Sequence, residues 1–329
     1  MNQTLNSSVT PQPTPNSSRT DAVKVAYFVF SALTMLTCMC GMVGNSLVIY
    51  LLGFRVQRTL FCIYILNLAA ADLLFLLSMA SEISLEITFQ NVTSLEITFP
   101  DEKDPETFLH DVMKRVKYFA YMADLSLLTA ISSQRCLSVL FPIWYKCHQP
   151  QYLSTVVCAL LWVLSMVMNM LASFFCSRFR KYDKYECLAV DITMSTLVLG
   201  IFTPLMVLSS LVLFVRVQRS AQQRRRQPSR LLVVILSSVL VFLVCSLPFG
   251  IYWFILFWVK LNPKAKALCV SLSRISSSLS SSANPIIYFL VGRQRGTRSL
   301  GARLNRALQE EPELEGKEMS PSGTNEVVW

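Results

Sequence analysis

Seven stretches of this chain, near residues 25–52, 60–81, 112–140, 152–175, 190–215, 231–259 and 267–291, are apolar over 18 or more residues. A helix needs roughly 20 such residues to cross a hydrocarbon core about 30 Å thick. With 329 residues, 53% of them hydrophobic and only 15% charged, no water-soluble packing hides seven such runs. The pattern predicts an all-α membrane protein, a seven-transmembrane helix bundle over residues 25–291, with no room for a large soluble domain. Residues 1–24 are polar, rich in Pro, Ser, Thr and Asn, and lack the apolar centre of a cleavable signal. They are expected to form a disordered tail, leaving the first span to direct insertion.

Orientation follows from the N-x-[ST] sequons, which stand at Asn2, Asn6 and Asn16 before the first span and at Asn91 between the second and third. All four fall on one side, which predicts an extracellular, glycosylated N-terminus and a cytoplasmic C-terminus. The 30 Lys+Arg against 20 Asp+Glu agree weakly with positive-inside. Arginine clusters at the cytoplasmic ends suit anionic membrane lipid, and nucleic acid is not called for. Leucines at 300, 304 and 308 recur at helical spacing among arginines, so residues 292–309 are expected to form an amphipathic helix on the membrane surface. No cysteine follows Cys269 to be palmitoylated, and residues 310–329 read as a disordered tail. Between spans 2 and 3 the hexapeptide Ser84 to Phe89 recurs as Ser94 to Phe99. It reads as a tolerated surface insertion whose β-prone copies could pair as a hairpin.

Ionisable groups at span centres cost several kcal/mol and must face protein or water; Asp72 and Asp124 are the two candidates. With Ser280 and Asn284 supplying neutral oxygens at similar depth, they suit a sodium ion or one shared proton. A hydrogen-bonded knot that only fixes packing remains the alternative. On span 3, Arg115 and Arg135 lie about 30 Å apart along the axis, at opposite membrane faces. Lys117, Asp124 and Arg135 share one helical stripe, while Arg115, Tyr118 and Met122 share nearly the opposite one, so helix 3 should be enclosed on both sides.

Near the outer face, Arg115 on helix 3 and Asp191 on helix 5 offer a cation and an anion. Such a pair matches a ligand bearing both a carboxylate and an ammonium. Tyr118 and Trp253 could wall that site. Arg115 could equally pair with Asp191 directly, or snorkel to the surface. Cys187 should join an extracellular disulfide, with Cys176 across a short loop as its partner and Cys269 as the rival. His110 and His148 lie in or near loops, and no nucleophile, base and orienter constellation points to an enzyme. A transporter or channel using the Asp pair as its ion path is the competing class. It lacks inverted repeats and matched broken helices.

The ordered set Gly44-Asn45, Leu68 to Asp72, Arg135, Trp162, Pro204, Pro248 and Asn284-Pro285-Ile286-Ile287-Tyr288 resembles the rhodopsin-like G-protein-coupled receptors, one signature on each span. Ser278 stands where a retinal lysine would be, which excludes light sensing, and Lys117 replaces the aspartate of aminergic receptors. Gln134-Arg135-Cys136, Ser246 two residues before Pro248, Phe141 to Tyr145, the Ser276 to Asn284 run, and a helix 3 that opens without Cys together resemble the Mas-related receptors.

That resemblance implies a multi-pass plasma-membrane receptor, found in sensory neurons and coupled to heterotrimeric G proteins of the inhibitory and phospholipase-linked classes. Arg135, Tyr288, Asn284 and Pro248 would form the switch. Resemblance to one branch of the group implies a small ω-amino acid such as β-alanine as agonist, with no bound cofactor. It also favours the Cys176–Cys187 bond. Helix 6 is expected to swing about Pro248, and with Gln134 in place of an acid beside Arg135 the basal activity should be appreciable.

Overall fold

The computed structural model describes residues 15–54, 60–95, 105–143, 145, 152–175, 184–224, 230–254, 259, 262–292 and 299–308, with the side chains of some of these left aside. Among them there is no strand. Seven long helices run in order: α1 (Pro15–Phe54), α2 (Leu60–Leu95), α3 (Pro105–Leu140), α4 (Leu153–Phe175), α5, α6 and α7 (Pro263–Val291). Helix α5 consists of Lys184–Ser195, a π-helical stretch Thr196–Phe202, and Thr203–Arg224; α6 consists of Arg230–Val241, a π-helical stretch Phe242–Ser246, and Leu247–Phe254. A short helix α8 (Leu300–Leu308) follows.

Helices α1, α2, α4, α5 and α6 each contain a window apolar enough to cross a membrane. The polar groups of α3 and α7 face protein instead: Lys117, Asp124, Arg135, Arg274 and the Ser277, Ser278, Ser280 and Ser281 positions are all buried. Helix α4 shows the converse pattern. It buries Ser154, Cys158, Ser165 and Met168 and turns Leu160, Val163, Val167, Met170 and Phe174 outward, an apolar face that suits lipid.

Close packing between α1 and α7 depends on small residues. A Cβ added to Gly44 would stand 3.0 Å from Pro285 Cβ, and one at Gly41 would collide with Ser282. Polar groups then close the seam: Asn45 Nδ2 donates to the carbonyls of Gly41 and Ser281, both at 3.0 Å, and Ser282 donates to the Thr37 carbonyl at 2.9 Å. On the other side of the bundle Trp162 Nε1 donates to Asn67 Oδ1 at 3.0 Å, tying α4 to α2.

Each π-helical stretch lies just before a proline. The N–H of Thr203 reaches back to the Val198 carbonyl before Pro204, and that of Leu247 to the Phe242 carbonyl before Pro248. Proline supplies no N–H and its ring clashes with the preceding turn, so the ladder loosens there and one extra residue is accommodated.

Several boundaries differ from the sequence expectation, two of them by ten residues or more. Helix α1 starts at Pro15, not near 25, and α2 does not stop at 81 but runs to Leu95. Ser84 to Phe89 are therefore helical, and the hairpin reading of the repeated hexapeptide is corrected. The span was expected to end where charge begins, at Glu82, yet Glu82 and Glu86 lie one turn apart on a face that other helices cover.

Candidate ligand and switch sites

The outer half of α3 separates two polar compartments. In the first, Arg115 and Asp191 are both half-buried and within electrostatic reach of one another, with Asp111 one turn before Arg115 on the same helix. Tyr118 stands between the two compartments: its ring meets Phe249 of α6 at 6.2 Å between centroids, tilted 32°, and Lys117 Nζ lies 5.6 Å from its centroid. Arg115, Asp191 and Tyr118 are within electrostatic range of one another. The Trp253 side chain lies outside the described residues, as does Cys176. Cys187 is disulfide-bonded, whereas Cys269 carries a free thiol.

The second compartment, between α1, α2, α3 and α7, holds an ion network that the sequence did not reveal. Lys117, fully buried, donates to Glu82 Oε2, and Arg274 Nη2 reaches the other oxygen of Glu82 at 3.3 Å. Arg274 also grips Glu86 with both arms, Nη1 to Oε2 at 2.7 Å and Nη2 to Oε1 at 2.6 Å. Tyr27 Oη donates to Glu86 at 2.7 Å, and His110 Nε2 stands 3.5 Å from it.

Two carboxylates meet two basic side chains, Lys117 and Arg274, so their formal charges balance without any ion. Glu82, Glu86 and His110 do bring ligand atoms within 4.8 Å of one another, but a metal would have to displace Arg274 from a bidentate grip. Asp72 and Asp124 are not the only buried ionisable groups: Glu82, Lys117 and Arg274 are buried as well, nearer one end of the bundle. One signal was available, two glutamates at i and i+4 with apolar residues around them.

Below these compartments aromatic rings connect α3 to α6. Phe249 packs against Phe75 at 5.7 Å and Tyr121 at 5.3 Å, and Tyr121 lies on Phe242 at 6.0 Å. Tyr121 Oη approaches the Ser246 carbonyl at 3.4 Å, inside the π-helical stretch. A side chain on Gly250 would run into that hydroxyl, so glycine there allows the close approach.

At mid-depth Asn284 Nδ2 donates to Asp72 Oδ2 at 2.8 Å. Asp124 is within electrostatic range of Asp72; the serine that reaches Asp72 is Ser281, while the expected Ser280 is buried on the same helix. Asp72 Oδ1, Asp124 Oδ1 and Tyr288 Oη are buried with no hydrogen-bond partner in the protein. Two buried acceptor oxygens of this kind fit a small cation or a shared proton.

Near the last turns of α3, Arg135 is buried and its guanidinium carbon lies 3.2 Å from the centroid of the Phe61 ring. Gln134 is buried without a partner for its amide. Phe61 thus offers Arg135 a π-face where Gln134 offers no charge.

Comparison with known proteins places this architecture. A profile of the rhodopsin-family seven-transmembrane receptors matches residues 44–288. The Mas-related G-protein coupled receptor member D of Homo sapiens is 60% identical over 99% of both chains, and that of Mus musculus 53% identical over the whole of both. The human Mas-related G-protein coupled receptor member X1 is 43% identical, covering 86% of this chain and 85% of its own.

Proposed function

We propose that this chain, which belongs to the Mas-related group of the rhodopsin-family seven-transmembrane receptors, is activated at the cell surface by a small zwitterion of the ω-amino acid type, β-alanine being the reference case. Its class, a multi-pass plasma-membrane receptor, follows from its relatives. The ligand assignment is supported by Arg115 on α3 and Asp191 on α5 lying within electrostatic range of one another and of Tyr118. Arg115 presents a fork to the ligand carboxylate and Asp191 accepts its ammonium, each charge-assisted bond contributing about 1.5 to 3 kcal/mol. Tyr118 and Trp253 pack around the short chain between them.

A six-heavy-atom ligand is limited to about 9 kcal/mol of binding at roughly 1.5 kcal/mol per atom. Potency is therefore expected to be about micromolar or weaker. Contraction of this compartment on the ligand would press on Tyr118 and Phe249, and through Tyr121 on the π-helical stretch of α6. There Pro248 lets the inner half swing and exposes Arg135 and Tyr288 to a heterotrimeric G protein of the inhibitory or phospholipase-linked class.

Asp72, Asp124, Ser280 and Asn284 would hold a sodium ion, which supplies fixed positive charge that favours the resting packing of α7. The Cys176–Cys187 pairing fits the compartment and the loop between them, since Cys187 is bonded and Cys269 is free. Glycans on Asn2, Asn6, Asn16 and Asn91, and with them an extracellular N-terminus in sensory neurons, complete the reading.

The test is nucleotide exchange on reconstituted receptor with ω-amino acids of increasing chain length. A response to β-alanine that Arg115→Ala and Asp191→Ala each abolish at normal surface density is expected. A response retained in both variants would reject the assignment, and ligand-driven flux in liposomes without exchange would point to a transporter.

A further inference from the structure

The cytoplasmic helix α8 does not lie with its apolar stripe toward lipid. Leu300 is exposed, but Leu304 and Leu308 are fully buried and join the apolar cluster that contains Leu231, Val234 and Ile235 of α6 and Leu51 of α1. Three approaches fix its course. A Cβ on Gly301 would stand 3.6 Å from Leu51 Cδ2 of α1, so the start of α8 lies beside that helix. One at Gly292, just past the end of α7, would collide with the Arg303 backbone, so the middle of α8 passes directly under α7. Its contacts then extend to the inner segment of α6, Arg230–Val241. Nine residues of helix span about 13 Å, enough to reach from α1 past α7 to α6.

We propose that α8 is an autoinhibitory clasp. It crosses the cytoplasmic end of the bundle, pins the inner half of α6 to α1 and α7 through Leu304 and Leu308, and must be released before a G protein can enter. Two properties of the segment fit that role. The helix that contacts α6 buries two leucines one turn apart, Leu304 and Leu308, which a single tilt would uncover together. Gly292 before the helix and Gly301 in its first turn leave room for backbone approach but contribute no side-chain anchor. The clasp also supplies a resting-state restraint that the Gln134-Arg135 pair does not, since Gln134 offers no charge. The inference rests on the outward motion of α6 proposed above but not on the identity of the agonist, so agonist-free measurements test it separately.

Agonist-independent nucleotide exchange on purified heterotrimeric G protein is measured with the full-length receptor, Leu304→Glu/Leu308→Glu and Leu300→Glu. The double variant is expected to raise the basal rate about tenfold or more, because two buried leucines are converted to charges only where the clasp is closed. Leu300→Glu should match the unsubstituted receptor. An unchanged or lower basal rate in a normally expressed double variant overturns the proposal.

Should the double variant fail to reach the membrane, thiol labelling decides. Leu304→Cys and Leu308→Cys receptors in inside-out vesicles, with the unsubstituted receptor as background, are treated with a membrane-impermeant maleimide. Protection that is lost several-fold on adding nucleotide-free G protein is expected. Equal labelling with and without G protein, whether fast or slow, rejects the clasp.

Discussion

Lys117 and Arg115 are two residues apart, both cationic and both in the outer half of α3, yet they should fail in different ways. Lys117→Met leaves Glu82, which is 2% exposed, with Arg274 at 3.3 Å and His110 at 4.0 Å as its basic neighbours. Removing one partner of a buried pair costs about 3 to 5 kcal/mol, and the surviving Arg274 contact places this case near 3. At about 2 °C per kcal/mol for a chain of this size, the melting temperature of detergent-solubilised receptor should fall by roughly 6 °C. All variants are scanned at one heating rate, because membrane-protein unfolding is irreversible.

The double variant Lys117→Met/Glu82→Leu removes both charges, and Arg274 keeps its bidentate grip on Glu86. It should recover most of the loss, since an apolar pair of similar volume replaces a desolvated one. Agonist potency, normalised to surface receptor, should change far less in these variants than in Arg115→Ala. If Lys117→Met left the melting temperature intact and weakened the agonist as much as Arg115→Ala, Lys117 would belong to the ligand site and the two-compartment account would be wrong.

Other consequences are shorter to state. Phe61→Ala removes the ring under Arg135 and should raise agonist-free exchange several-fold, whereas Gln134→Glu should lower it by supplying an anion; unchanged basal exchange in both would exclude a latch at this point. Gly250→Ala forces a methyl against Tyr121 Oη and should cost about 1 to 3 kcal/mol of stability, partly relieved by Tyr121→Phe; a fully tolerated alanine would contradict the packing of α3 on α6. Sodium should reduce agonist affinity in the unsubstituted receptor and have no effect in Asp124→Asn, and a titration flat in both leaves only a hydrogen-bonded knot at Asp72.

Hydropathy located the spans because lipid imposes length and apolarity on each helix independently of its partners. The same local reading placed Arg115, Tyr118 and Asp191 near one face, and put Lys117 and Asp124 on a separate stripe that proves buried. It missed the ion network because the partners are distant in sequence: 35 residues separate Lys117 from Glu82, and 188 separate Arg274 from Glu86. A charge at a span end looks like a boundary until another helix is known to neutralise it. Phe61 under Arg135 and the course of α8 were hidden for a similar reason. Apolar periodicity shows that a helix has a face, but not whether lipid or protein covers it.

The zwitterion clamp is tested most directly by removing charge from the ligand and the receptor in turn. Affinities of β-alanine, of its analogue lacking the amino group and of its analogue lacking the carboxylate are measured on the unsubstituted receptor, Arg115→Ala and Asp191→Ala by competition with a labelled agonist. The account predicts that loss of the carboxylate costs about tenfold or more in the unsubstituted receptor and in Asp191→Ala but little in Arg115→Ala, with the mirror pattern for the amino group. Equal losses for both analogues in all three receptors would contradict it.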